Sequence, residues 1–304
     1  MKLTKRIYKG CCIFLIFVVA IEIYLRYYWG FCDTVLTEEN ERYEYIAQPN
    51  QERFRFRKHI RYNEFSMRSR PVEKTDGHRV LVFGDSVING GVLTDQDSLA
   101  TMIIENTLNK YNSWGGVIRI LNISYGSWGP DNCFAFMQEY GDFDAGLIIL
   151  IISSHDAYDT MTFEKVIDIL PSYPSKQYSF ACYELWDRYL LPRFFHKRQE
   201  SKEPIIKGNV FNPGFKSFHD YVKEKNIPFF IYLHPTLSEL IAGKYEIQGE
   251  EIVRFCSDHH ILLLQGLEHE DVLDFRDKIH LNERGQRRLA EILLPEIEKS
   301  LSVN

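Results

Sequence analysis

Short apolar runs alternate with amphipathic stretches through most of this 304-residue chain. Five runs read as strands, at 79–83, 117–123, 146–152, 228–233 and 261–264. The third is almost continuously apolar, as expected of a strand buried on both faces. Helical spacing lies between them: Leu99, Met102, Ile103 and Leu108 mark one helix face. Gly129-Pro130 opens a helix to about Tyr140, with proline suited to the first turn, and 215–225 reads as another. Asn282 caps a last helix with the apolar face Leu289, Ile292, Leu293 and Ile297. This alternation predicts an α/β fold, a three-layer α/β/α sandwich around a mostly parallel central sheet. In such sheets ligands bind beyond the carboxyl ends of the strands. Ser86, Gly126, His155 and His234 all directly follow expected strands.

The first thirty residues differ in pattern. Lys2, Lys5, Arg6 and Lys9 precede an apolar run from Gly10 to Ile21, which Glu22 interrupts and Ile23-Tyr24-Leu25 extends. Tyr27, Tyr28 and Trp29 form an aromatic cluster of the kind found at membrane interfaces. A cleaved signal peptide and a buried helix share parts of this layout. No small-x-small cleavage site is evident, and an uncleaved signal anchor over residues 1–30 fits best. The basic flank then holds the N-terminus in the cytoplasm and places the body outside.

Residues 31–75 are polar and aromatic without apolar periodicity and read as a stalk leading into a domain at 76–304. Residues 157–212 are the least legible. Their aromatic, amphipathic stretch from Tyr183 to Phe195 suits a lid, a substrate wall, a membrane-surface helix or a segment packed on the body. The net charge is −6, and the basic residues before the apolar run leave the rest more acidic still, which argues against a nucleic-acid partner. The six cysteines show neither zinc spacing nor a dense disulfide framework; one or two disulfides are allowed, and buried thiols are the simpler reading. His259-His260, with Asp258 and His269 nearby, lacks regular ligand spacing, so neither a metal nor a cofactor is expected. His234, before Pro235, reads as a turn histidine or a substrate contact.

Two short motifs carry chemistry. A strand leads into Gly84-Asp85-Ser86, and far along the chain stands Asp277-Lys278-Ile279-His280. Serine, histidine and aspartate supply a nucleophile, a base and a group that orients the base.

These motifs resemble those of the SGNH/GDSL hydrolase family. Gly84-Asp85-Ser86 matches its first block, Asn122–Gly129 contains the second, Ser153–Asp156 stands where Gly-x-Asn-Asp is usual, and Asp277–Asn282 matches the last. The segment 63–68 is similar to a lead-in found in membrane-anchored members, and the resemblance spans roughly residues 60 to 300. It implies an SGNH-type, flavodoxin-like sandwich with Ser86 as nucleophile, His280 as base and Asp277 as its orienter. It implies an oxyanion hole from the Ser86 N–H, an N–H at Gly126 or Ser127, and the third-block side chain, here His155 in place of asparagine. The implied partner is an ester-bearing substrate, with O-acetyl groups of envelope glycans favoured by placement outside the membrane. Two other readings stay open: an O-acyltransferase using the same residues, and a glycan-binding protein that has lost activity.

Overall fold

The structure, a computed structural model, describes residues 2–74, 76–110, 116–194 and 210–302. It begins with helix α1 (Lys2–Trp29) and two antiparallel hairpins, β1 (Thr37–Asn40) with β2 (Glu44–Ala47) and β3 (Gln51–Arg55) with β4 (Lys58–Tyr62). There follow β5 (Asp76–Gly84), α2 (Ser86–Asn89), α3 (Ala100–Lys110), β6 (Val117–Ser124), α4 (Pro130–Tyr140) and β7 (Leu147–Ser153). Next come α5 (Ala181–Glu184) and α6 (Leu191–Phe194), joined by a π-helical stretch, Leu185–Leu190. The chain ends with α7 (Pro213–Lys225), β8 (Phe229–His234), α8 (Leu237–Ala242), α9 (Ile247–Asp258), β9 (Leu262–Gln265) and α10 (Glu283–Ser302).

Strands β5 to β9 form one sheet in the order β6-β5-β7-β8-β9, and every pairing in it is parallel. Each strand runs one residue beyond its expected end, into Gly84, Ser124, Ser153, His234 or Gln265. Apolar patterning cannot see these residues because they are small or polar, yet they sit at the sheet edge where ligands bind.

Alternate residues of each strand point to opposite faces. Val80, Val82, Ile118, Ile120 and Ile149 join a core with Ile104 and Leu108 of α3 and Leu289, Leu293 and Ile297 of α10. Leu81, Phe83, Leu121, Ile123 and Ile148 join another with Phe136 of α4, Phe215 and Phe218 of α7 and Ile252 of α9. The expected three-layer α/β/α sandwich is thereby formed. Asn282 Oδ1 accepts from the N–H groups of Arg284 (2.9 Å) and Gly285 (3.0 Å), capping α10 as expected.

Residues 31–75 do not form the expected stalk. Tyr43, Tyr45, Ile46, Ile60, Tyr62 and Met67 are buried in the same core as Leu81 and Phe83. The Trp128 indole donates to the Tyr45 carbonyl at 2.9 Å. Much of the apolar mass of this segment is carried by tyrosines on strands of four or five residues, too short to show a period. Arg68 is fully buried and donates to the carbonyls of Asn89, Gly91 and Thr94, gripping the loop after α2.

Within the 157–212 region, Val166, Ile167, Tyr173 and Ala181 are buried. Phe195, the end of the aromatic stretch, lies outside the described residues. The described cysteines are all free thiols, with Cys133 and Cys256 buried. Helix α1 is long and apolar enough over Arg6–Trp29 to cross a membrane.

Ile60 tests the folded hairpins. Ile60→Ala is expected to destabilise the full chain by about 2–5 kcal/mol in urea unfolding, the cost of a cavity at a buried isoleucine. A stalk residue would give no change.

Candidate active site

Strand β5 ends at Gly84, where an added Cβ would lie 2.6 Å from the Ile151 carbonyl oxygen of β7, so only glycine fits. Asp85 then caps α2, its Oδ1 accepting from the Val87 N–H at 2.8 Å. Ser86 is the first residue of that helix, where an N–H has no intrahelical acceptor.

The structure brings the three expected residues together. His280 Nε2 lies 3.0 Å from Ser86 Oγ, and His280 Nδ1 lies 2.9 and 3.0 Å from the two Asp277 oxygens. Burial alone raises the Asp277 pKa. The N–H groups of His280 and Ile279, with the His280 ring, outweigh it and hold the carboxyl below its ordinary range. Asp277 is therefore an anion across neutral pH, as an orienting carboxylate must be.

The loop carrying this pair is fixed from both sides. Arg276 N–H donates to the His280 carbonyl (2.8 Å), and Leu237 N–H to the Lys278 carbonyl (2.8 Å). His234, fully buried at the end of β8, supplies the grip that the sequence reading left undecided. Its Nε2 faces the Ile279 carbonyl at 2.6 Å and its Nδ1 faces Glu270 Oε1 at 2.8 Å. A carbonyl and a carboxylate are both acceptors, so this arrangement favours a proton on each ring nitrogen. Burial opposes the charge this brings, but Glu270 and the carbonyl win, and the His234 pKa is raised. His234 is not among the residues lining the Ser86 cavity.

Gly126 and Ser127 follow β6 and line the same cavity as Ser86 and His280. Ser127 has φ of +56°, a left-handed turn. The Tyr173 hydroxyl donates to the Gly126 carbonyl (3.2 Å), and the Tyr45 hydroxyl to the carbonyls of both residues (3.4 Å each). With the carbonyls held by phenols, the N–H groups of Gly126 and Ser127 both stay candidates for the oxyanion.

His155 sits in the turn after β7, and its ring lies on a buried acidic pair instead of in the wall of the Ser86 cavity. Its Nε2 is 3.6 Å from Asp156 Oδ1 and 3.9 Å from Asp85 Oδ2. Burial, then repulsion from Asp85, pushes the Asp156 pKa well up. Burial, then Asp156, raises neighbouring Asp159 to about 8.

The cavity over Ser86 has a volume of about 440 Å³. Sequence reasoning missed most of its walls, which include Asn89, Tyr62, Tyr125, Tyr173, Arg188 and Arg276. The substrate-wall reading of the Tyr183–Phe195 stretch anticipated Arg188 and Tyr189, while Asn89, Tyr62, Tyr125, Tyr173 and Arg276 carried no signal in the sequence. A larger cavity of about 1180 Å³ adjoins it, with Leu170, Pro171 and Arg188 shared between the two.

No protein-family model and no curated protein sequence matches the chain. Among solved structures it is similar to a carbohydrate acetylesterase family member from Sinorhizobium meliloti, at 12% identity and TM-score 0.41 over 74% of this chain and 100% of that one. It is also similar to a lipase/acylhydrolase from Enterococcus faecalis, at 10% identity and TM-score 0.46 over 73% and 96%. An acetyl xylan esterase from Geobacillus stearothermophilus is a third, at 14% identity and TM-score 0.41 over 73% and 95%.

Removing His234 leaves the buried Glu270 with the Tyr232 hydroxyl but without its ring partner. His234→Leu is expected to cost about 3–5 kcal/mol in urea unfolding at pH 6, with part recovered in His234→Leu/Glu270→Leu. The raised His234 pKa also sets a sign. Its contribution is complete below the ordinary histidine value of about 6.5 and is lost as pH rises through the higher folded value. The variant's deficit is therefore expected to shrink toward alkaline pH.

Proposed function

We propose that this chain is a membrane-anchored serine esterase that removes ester-linked acyl groups through Ser86, His280 and Asp277. The hydrogen-bonded line from Ser86 Oγ through His280 to Asp277, opening on a cavity, is the observation that carries this reading. In it, Ser86 Oγ attacks the ester carbonyl carbon as His280 Nε2 takes the hydroxyl proton. Asp277 holds the proton on Nδ1 and balances the imidazolium that forms. The carbonyl oxygen becomes an oxyanion facing the Ser86 N–H and an N–H of Gly126 or Ser127; a well-placed donor is worth about 3 kcal/mol in the transition state. His280 returns its proton to the leaving alkoxide as the tetrahedral intermediate collapses to an acyl-enzyme. Water, deprotonated by the same ring, then attacks the acyl carbon, and Ser86 leaves with its proton restored. His155 as a third donor belongs to this proposal. Its support is its place in the turn after β7; against it, the contacts of its ring are to Asp85 and Asp156.

Helix α1 supports the anchor, and its basic flank supports a body outside the membrane. That placement brings O-acetyl groups of envelope glycans within reach. The adjoining 1180 Å³ cavity favours a second reading, acyl transfer, because it offers room for a hydroxyl acceptor in place of water. A binding protein without activity has no need of a serine, histidine and aspartate in hydrogen-bond register.

Purified full-length protein is expected to hydrolyse short-chain aryl esters, with Ser86→Ala and His280→Ala each lowering kcat by roughly a thousandfold or more while staying folded. A serine-reactive phosphonate is expected to label Ser86. Absence of both turnover and labelling in the parent overturns the esterase reading. Labelling with turnover only when an oligosaccharide acceptor is added selects transfer.

A further inference from the structure

A bilayer core of about 30 Å needs about 20 helical residues to cross it. The uninterrupted apolar run of α1, residues 10–21, supplies about 18 Å at 1.5 Å per residue. A span must therefore continue through Glu22 toward Trp29. Glu22 is not left bare there. It accepts from the N–H groups of Ala181 (2.8 Å) and Cys182 (2.9 Å) and from Arg26 Nε (2.7 Å), while Arg26 also donates to the Ser179 carbonyl. Leu25 and Phe31 pack with Ala181, Cys182 and Leu185 around this junction. The body thus grips the helix two turns below its last residue, about 10 Å along the axis. A body held that deep cannot stand clear of the bilayer surface.

The segment that makes the grip has two different sides. Phe180, Tyr183, Trp186 and Phe194 are exposed, Phe180 at 64% and Phe194 at 68%. Tyr24 and Tyr27 of α1 are exposed at the neighbouring level of the helix. Aromatic rings of this kind settle at the headgroup level of membranes. On its inner side, Glu184 is fully buried against Arg55, and Tyr189 and Arg188 line the Ser86 cavity.

We propose that the 179–194 segment is a lipid-contacting surface seated in the membrane interface, and that the Ser86 site draws its ester from membrane-resident amphiphiles instead of from bulk water. The occupant of the surface is the bilayer itself, because the surface continues directly from the membrane-spanning helix. The substrate class is an amphiphile with its tail in the leaflet and its ester at headgroup level, which a lipid-carried glycan also satisfies. This rests on the anchored-esterase reading.

The test uses the full chain in phospholipid nanodiscs. Lipids brominated close to the headgroup are expected to quench a component of tryptophan emission that Trp186→Phe removes; equal quenching in parent and variant overturns the surface, as it would if another protein covered this face. The triple variant Phe180→Ser/Trp186→Ser/Phe194→Ser is then compared on two esters. Hydrolysis of a soluble short-chain aryl ester is expected to persist, while that of a fluorogenic long-chain ester partitioned into the same nanodiscs falls about tenfold. Equal effects on the two esters overturn the substrate class. A parent that cuts neither ester overturns both the substrate class and the esterase reading, and the quenching result still decides the surface.

Discussion

Strand β5 is hydrogen-bonded on both edges, to β6 and to β7, and this constraint fixes where chemistry can happen. A strand held on both sides cannot shift register without turning every side chain to the wrong face. Its end is therefore a fixed point, and the approach of Ile151 to Gly84 makes the next turn abrupt. Ser86 emerges from that turn, at a helix start where its own N–H has no intrahelical acceptor. The rest of the site is brought to this point: the 270–282 loop by His234 and Leu237, and the Gly126 turn by Tyr45 and Tyr173.

A second constraint joins elements distant in sequence. Arg55 and Glu184 form a bidentate ion pair at 2.6 and 3.2 Å, with both side chains almost wholly buried. Such pairs seldom add stability, because desolvating two charges consumes most of the attraction. This one is well supplied with further partners. Arg55 also donates to the Gly30 carbonyl (2.9 Å) and the Tyr189 hydroxyl (3.0 Å), and lies over the rings of Phe31 and Phe56. Its contribution is geometric: it sets the helix end, the β3–β4 hairpin and the 181–194 segment at one junction.

What was legible in the sequence was what repeats or what matches a short motif. The sheet strands showed because parallel strands buried on both faces read as apolar runs, and Ser86, Asp277 and His280 showed because they end or precede such elements. The residues that shape the site did not. Tyr45, Tyr62, Tyr125 and Tyr173 reach it from separate elements, and only the tertiary fold brings them together. The 31–75 segment shows no apolar period for the same reason: tyrosine counts as polar or aromatic in a pattern, while in the fold Tyr43, Tyr45 and Tyr62 fill the core. The surroundings of His155 were equally hidden. Its position follows the expected strand, but Asp85 and Asp156 compete for its ring, and a sequence cannot say which neighbour a side chain will choose.

Helix α1 and the Ser86 cavity are closer than a domain-by-domain reading suggests. Only four residues separate Trp29 from Thr34, which already lines the Ser86 cavity with Val35. A connection that short, pinned by Arg55 and Glu184, leaves no freedom for the body to swing on a tether. Under the proposed anchoring, the orientation of helix α1 in a bilayer sets the orientation of the cavity. For the proposed membrane-resident ester this gives alignment before binding, because the loss of orientational freedom has already occurred on folding.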